Sequence, residues 1–543
     1  MAGSIDMSTF SSYRVWAGTS IVGSLLLNKL APQYSLLHSY LLTAASIFAI
    51  ISLVYYIYAV VIYPRLLSPL RHLPMPTGGS FFNGQFAAIT KDASGIPLRR
   101  WINDIPNNGL IRYLHLFNHE RVMVTSPKGL AEVLVTKSYD FIKPELLRSG
   151  IGAILGFGIL FAEGDEHKVQ RKNLMPAFSF RHVKELYPIF WSKSREMVEA
   201  IEAELEKNKP NTSQEMAEWA SRATLDIIGV AGLGQDFNAI SNPDSELNRT
   251  YRSVFAPSPG AQLLGLLQFF LPGWLLRALP IKRNNDVMAA SKVARDTSRE
   301  LVRLKKQRMA EKKEMQQDII SVALESGGFT EDELVNNMMT FLAAGHETTA
   351  SAMTWAIYLM CQKPEVQRRL REEVRAHVDS LNDHVDSTKL DGMPYLHAVC
   401  NEVLRIYSPV PLTLRDAAVD TTILGQFIPK GTKVILAPWA VNHSKELWGD
   451  DAGEFNPDRW MAPGQANSGG AVSNYAFLTF LHGPRSCIGL KFATAELAAL
   501  LAVFVGTFEF EMTDPNEEII IKGGITARPR NGMRVNLTRV EGW

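Results

Sequence analysis

The sequence predicts a mainly α-helical protein with small β-sheets, an α+β class, preceded by a transmembrane helix. Six stretches, 184–208, 213–230, 284–314, 331–361, 364–379 and 394–407, place apolar residues at three- and four-residue spacing, the period of a helix with one buried face. Strand-like pieces are short and few, near 111–116, 121–125, 419–424, 432–436 and toward the C-terminus. From Leu30 to Pro64 there is no Asp, Glu, Lys or Arg.

That uncharged run sets the N-terminal organisation. Ser39–Tyr63 is dense in Leu, Ile, Val, Ala and Tyr; as a helix it is about 37 Å long, against a hydrocarbon layer of ~30 Å, so a tilted span fits. Tyr55, Tyr56, Tyr58 and Tyr63 gather at one end, as aromatic residues do at a membrane interface. Val15–Asn28 is also uncharged but short for a span; a second helix forming a hairpin, an interfacial segment and a signal-like apolar region all remain open for it. The expected organisation is an N-terminal segment 1–38, a single anchor 39–63, a proline-rich hinge 64–80 (Pro64, Pro69, Pro74 and Pro76, with Gly78 and Gly79) and one catalytic domain 81–543. Arg65 and Arg71 against Lys29 put the body on the cytosolic side, which makes the sequons at Asn211, Asn248, Asn442 and Asn536 accidental. Between Ala256 and Pro280, leucines and aromatics crowd around Pro272 and Gly273, which reads as an interfacial flap beside a substrate entrance.

Composition narrows the function classes. With 46% hydrophobic and 20% charged residues the 543-residue chain is globular rather than disordered. A net charge of +1 argues against a general nucleic-acid binder. Three cysteines, Cys361, Cys400 and Cys487, without CxxC spacing, give neither a disulfide framework nor a zinc site.

Cys487 stands in Phe480-Leu481-His482-Gly483-Pro484-Arg485-Ser486-Cys487-Ile488-Gly489. A lone cysteine in a Gly/Pro turn beside an arginine suits a thiolate held out to a metal, because the anion binds metal and needs nearby positive charge or backbone N–H groups. Glycine lets the backbone close round the sulfur. Upstream, Thr330 and Glu333 form a capping box for a helix that runs to Ala344-Gly345-His346-Glu347-Thr348-Thr349. The small residues 343–345 leave room for a flat ligand. The threonines can bond back to carbonyls and loosen the ladder, and an acid beside a hydroxyl suits proton delivery. Glu402 and Arg405, three apart, share a helix face.

Phe480, Gly483, Arg485, Cys487 and Gly489 match every fixed position of the haem-binding loop of the cytochrome P-450 family, which this chain resembles over roughly 65–543. The family's oxygen-activation motif is similar to Ala344-Gly345-His346-Glu347-Thr348, its Glu-x-x-Arg pair to Glu402 and Arg405, and its partner segment to Phe455–Trp460. The resemblance implies haem b with Cys487 as axial ligand, Glu347 and Thr348 as proton-delivering catalytic residues, and a buried structural network of Glu402, Arg405 and Arg459. Haem contacts implied are Ala344, Phe480, Gly489 and, at the propionates, Arg485, Arg415 and Arg171. Where the family often has Trp-x-x-x-Arg, this chain has His167; it can donate a hydrogen bond as indole does, or face water.

The implied function is a membrane-anchored, fungal-like haem-thiolate monooxygenase that inserts one oxygen atom from O2 into an apolar small molecule, in secondary-metabolite biosynthesis. No complete dinucleotide fingerprint is present, so electrons are expected from a separate NADPH-cytochrome P-450 reductase, with cytochrome b5 as a further donor. The docking candidates are Lys168, Arg171, Lys172, Arg181, Lys184 and Lys491. The implied place is the endoplasmic reticulum membrane, single-pass, with the catalytic domain cytosolic and no nucleic-acid partner. Two other classes compete: a haem isomerase or lyase working on a peroxide substrate without a reductase, whose members often lack the acid–hydroxyl pair kept here, and a non-enzymatic haem or lipid binder, which leaves Glu347 and Thr348 without purpose.

Overall fold

The computed structural model describes residues 7–543 except 94, 246, 251–266, 268–274, 277–278, 280, 312–317 and 523–524; most of the Ala256–Pro280 segment lies outside the described residues. Twelve strands are present among them: β1 (Leu110–Leu114), β2 (Glu120–Val124), β3 (Phe141–Ile142), β4 (Ser213–Glu215), β5 (Thr413–Ala417), β6 (Thr421–Ile423), β7 (Gln426–Ile428), β8 (Lys433–Leu436), β9 (Phe508–Met512), β10 (Ile521–Lys522), β11 (Arg528–Pro529) and β12 (Arg534–Arg539). The region expected as one catalytic domain falls into two compact units.

The first unit comprises Met1–Asp92, Asp104–Ile142 and Leu414–Leu436. Helix α1 (Met7–Leu30) and helix α2 (Tyr40–Ile57) precede a five-stranded sheet of order β1-β2-β8-β5-β3. β1 and β2 pair antiparallel, from Leu110 opposite Val124 to Leu114 opposite Glu120, and β2 pairs parallel with β8. The expected break at Pro64 does not occur; a π-helical turn, Tyr58–Leu67, carries α2 through it. Proline has no N–H to give the carbonyl of Val60, and Asn118 Nδ2 supplies the missing donor at 2.7 Å. Arg112 donates to the Pro64 carbonyl, and Ser68 N–H reaches back five residues to Tyr63 at 2.8 Å. The hinge therefore begins after Leu67.

The second unit, Ala93–Asn103, Lys143–Thr413 and Ala437–Trp543, is helical. Its centre is the helix Glu331–Gln362, capped by the Thr330/Glu333 box and buried along most of its length. Around it lie Met216–Ile227, Lys282–Ala310, Pro364–His377, Pro394–Ile406 and Leu490–Thr507. The last is long and apolar enough to cross a membrane, but 78% of it is buried in the protein, so it is a core helix. Trp355 from the central helix stacks on Tyr407 at 4.0 Å, and its indole N–H, with the Ser351 hydroxyl, donates to the Ala527 carbonyl. These contacts pin the start of β11 to the central helix. The loop Leu155–Ile159 is pinned to the same helix by Thr340, whose hydroxyl donates to the Leu155 carbonyl at 2.7 Å, and by Asn337, which accepts from Ile159 N–H at 2.8 Å.

Candidate active site

The cysteine loop has little regular structure beyond one 3-10 turn, Gly483–Arg485, before the helix Leu490–Thr507 begins. Cys487 N–H donates to the Phe480 carbonyl at 2.9 Å, closing the loop on itself. Gly483 has φ +75°, a backbone state that favours glycine. Gly489 is different: its φ is −84°, and a Cβ there would lie 4.0 Å from the Cys487 sulfur and 3.9 Å from the Phe178 ring. Its value is its N–H, which points at the sulfur.

Cys487 is exposed by surface area yet surrounded by protein. Part of the side chain is open to solvent while the surrounding protein still desolvates the sulfur. Burial raises the thiol pKa, opposed by the Gly489 N–H and the positive charge of Arg171. A thiol becomes a thiolate when a metal cation takes the proton's place.

Basic groups gather beside that sulfur. Arg171, on the helix Gly164–Leu174, donates to the Ser486 carbonyl at 2.6 Å, one residue from the cysteine. Arg485 is ion-paired with Glu163 at 2.6 Å, with 4% of its side chain exposed. Glu163 also accepts from Lys143 N–H at 2.9 Å. His167 is buried on the same helix, and its pKa is lowered to about 4 by burial and by the charges of Arg485, Lys143 and Arg171. Three fixed cations and a neutral imidazole against one carboxylate leave an excess of positive charge, which suits a ligand with carboxylates of its own next to a metal-binding sulfur. That donor set fits haem. Arg415 belongs to the other unit, on β5, buried, with one guanidinium N–H on the Leu414 carbonyl at 2.8 Å.

On the central helix, Ala344 and Thr348 are partly exposed and one turn apart, whereas Ala343, His346, Glu347 and Thr349 are buried. Gly345 does not leave space for a flat ligand: a Cβ there would meet Ile228 Cγ1 at 2.8 Å, so its role is close packing against the Ile228 side chain. The ladder is continuous through this stretch, and Thr348 donates to the Ala344 carbonyl at 2.8 Å. Glu347 is not beside the Thr348 hydroxyl but held elsewhere, by Arg528 at 2.5 Å and the Thr526 hydroxyl at 2.9 Å, both from the β10–β11 connection and its second strand.

A family model described as cytochrome P450 matches residues 107–535. The chain belongs to the cytochrome P450 family. It is 46% identical over 523 residues to cytochrome P450 monooxygenase sphH of Aspergillus fumigatus, covering 94% of this chain and 96% of the relative. It is 41% identical to FUM15 of Gibberella moniliformis, covering 93% and 94%, and 36% identical to buaD of Petromyces alliaceus, covering 90% and 92%; both are named cytochrome P450 monooxygenases. This P450 is a monooxygenase, an oxidoreductase that uses O2 and electrons from a redox partner, and its family carries a haem iron on a cysteine thiolate.

Behind the cysteine loop of this P450, Glu402 and Arg405 are fully buried and joined twice, at 2.7 and 2.8 Å. Arg459 Nε, Trp460 Nε1 and Asn456 N–H complete the carboxylate's partners at 2.9–3.1 Å. Arg405 spends its remaining N–H groups on the carbonyls of Asn442, Ala452 and Glu454. Asn442 carries the network into the loop: its amide donates to the Arg405 carbonyl and Thr479 Oγ1 and accepts from Leu478 N–H at 2.8 Å. Sequence reasoning missed Asn442, which appeared only as a sequon.

It also missed Glu163, whose sole signal was an acid four residues before His167, and Glu496, an acid inside an otherwise apolar helix. Burial raises the Glu496 pKa well above the usual carboxylate range, partly offset by the Thr349 hydroxyl. Neither of its oxygens has a hydrogen-bond partner of ordinary geometry among the described residues.

Two expectations follow. Glu402→Gln strands two buried guanidinium groups and should lower unfolding free energy by about 3–5 kcal/mol, read from urea titration, where an unchanged midpoint would remove the network from the fold's supports. His167 is neutral when folded down to about pH 4, while the unfolded imidazole takes up a proton below about 6.5. Between those values the unfolded state binds more protons, so stability falls as pH falls; His167→Gln should flatten that part of the pH–stability curve, and an unaltered slope would place the titration elsewhere.

Proposed function

We propose that this P450 is a membrane-anchored, haem b monooxygenase of fungal secondary metabolism that hydroxylates or epoxidises an apolar small molecule. The observation that carries this reading is Cys487, with Arg171, Arg485 and His167 gathered near it and Thr348 on the central helix of the same unit. The residues that would hold the cofactor are Cys487 at the iron, Arg171, Arg485 and His167 at the propionates, and Phe480, Gly489 and Ala344 against the ring. Haem bound there supplies oxygen activation, with the thiolate's electron push favouring O–O cleavage.

Thr348 is the proton-bearing group nearest that task. Its hydroxyl hydrogen rests on the Ala344 carbonyl, so passing on a proton requires it to rotate off that acceptor. Glu347 is a second acid whose carboxylate is occupied by Arg528 and Thr526; to serve the relay it must exchange that pair for water or for Thr348. Substrate contact is drawn from 141–160, 230–280, Met338–Ala344, Ser408–Leu414 and Gly523–Thr526, windows that hold few charges and so favour an apolar ligand.

Electrons come from a separate NADPH-dependent P450 reductase, with cytochrome b5 as a further donor. Lys168, Lys172, Arg181 and Lys491 are exposed, and the ammonium groups of Lys184 and Lys491 flank the exposed Phe180 ring at 4.5 and 5.6 Å. That is a cationic face with an apolar centre, suited to an acidic partner. Arg171 is committed inward and leaves the set. The helix that starts at Tyr40 is apolar along Tyr40–Leu67 and none of its most apolar window is buried, which supports an anchor in the endoplasmic reticulum membrane with the catalytic residues on the cytosolic side.

The deciding experiment is the carbon monoxide difference spectrum of the reduced, detergent-solubilised protein beside Cys487→Ser. A strongly red-shifted thiolate-type Soret band that the variant lacks is expected; no haem, or a band indifferent to the substitution, would overturn the assignment. Thr348→Ala should keep that band while product formed per NADPH falls about 10²-fold, the low end for a lost general acid, with the electrons appearing as hydrogen peroxide. Unchanged coupling would exclude Thr348 from proton delivery.

A further inference from the structure

Helices α1 and α2 lie antiparallel. Tyr13 and Tyr56 join hydroxyls at 2.7 Å, the Trp16 and Tyr55 rings meet at 4.8 Å, a Cβ on Gly23 would touch Ile47 at 3.3 Å, and Ser24 donates to the Tyr40 carbonyl at 2.6 Å. Leu36 N–H on Thr43 Oγ1 closes the turn between them.

The hairpin is inside out by the standard of a water-soluble protein. Its inner seam is polar and small: Ser20, Ser24 and Thr43 are 1–3% exposed. Its outer faces are aliphatic: Leu25, Leu26, Ile50, Leu53 and Val54 are 53–61% exposed. Water would favour the reverse arrangement, whereas lipid favours this one, because in lipid the seam must be made by close packing and hydrogen bonds. Six polar side chains on the two helices are satisfied internally: Ser20, Ser24, Asn28, Thr43, Ser46 and Ser52 each donate to a backbone carbonyl of the hairpin. That is the condition hydrocarbon imposes.

Length and charge agree. The paired portions, 13–30 and 40–57, are each about 27 Å long, close to the ~30 Å hydrocarbon layer. Tyr13, Trp16, Tyr55 and Tyr56 form an aromatic belt at one level, and the only Lys or Arg between residues 13 and 64 are Arg14 beside that belt and Lys29 at the other end, where both can snorkel. With α2 as a lone span, Arg14 and Lys29 on one side balance Arg65 and Arg71 on the other. With both helices crossing, Arg14, Arg65 and Arg71 share the catalytic side and Lys29 stands alone opposite, so the charge bias acquires a direction only in the hairpin.

We infer that α1 is a second membrane crossing, so that the chain enters the bilayer as a helical hairpin whose turn, Ala31–Ser39, faces the lumen and whose first helix begins on the same side as the catalytic residues. This rests on the membrane-anchor reading above and replaces its single pass. α1 was not legible as a span because its polar seam lowers its mean hydropathy, while Val15, Ile21, Val22, Leu25 and Leu26 face outward.

The full-length chain is produced in a eukaryotic host with a glycan acceptor on a flexible spacer, fused ahead of Met1 in one version and inserted between Gln33 and Tyr34 in another. The hairpin requires a glycosidase-sensitive mass increase on the turn version only. A glycan on the N-terminal version, in protein that resists alkaline carbonate extraction, would overturn the hairpin and keep a single-pass anchor. Modification of neither, with extraction by carbonate, would overturn the anchor itself. The N-terminal fusion leaves both helices intact, so its result stands even where the insertion disturbs folding.

Discussion

A loop with almost no regular hydrogen bonding of its own cannot hold a sulfur in place; its shape is lent by the buried ion network behind it. Glu402, Arg405 and Arg459 are removed from water, which is costly, and that cost is offset only because nearly every donor and acceptor finds a partner. Asn442 converts this rigidity into position, since its amide bonds the network's backbone on one side and Leu478 and Thr479 on the other. The conserved-looking motif 480–489 is thus the visible end of a scaffold assembled from residues 402, 405, 442, 451–460 and 478–479.

Charge balance governs the neighbouring region by the same logic. Burial, and then the charges of Arg485, Lys143 and Arg171 brought close to it, hold His167 neutral, an arrangement that water would not favour without anions. Glu163 supplies one, pairing with Arg485. It fixes the guanidinium's orientation in advance, so that less side-chain freedom is lost when further carboxylates arrive.

Helices were legible because periodicity is a local signal: the Glu331–Gln362 helix, its capping box and four of its neighbours can be read from spacing alone. Partners were not. Glu347 follows a motif, yet its neighbour is Arg528, 181 residues away in sequence, and no local pattern announces that pairing. Gly345 read as room for a ligand because sequence shows the absence of a side chain and not what fills the gap, which is Ile228. Pro64 read as a helix stop because proline removes one N–H; the structure keeps the helix going by bringing Asn118 from a distant loop. β5 went unseen because three of its five residues, Thr413, Arg415 and Asp416, are polar or charged.

That repair at Pro64 has a mechanical corollary. The carbonyls of Val60 and Pro64 are bonded to Asn118 and Arg112, which belong to β1 and the turn that follows it. No slack tether lies between the last turn of the apolar helix and the five-stranded sheet. On the proposed membrane anchoring, any tilt that α2 takes up to match the thickness of a bilayer would reach the sheet as a rigid rotation, so lipid composition would become a torque on the strands instead of being lost in a linker.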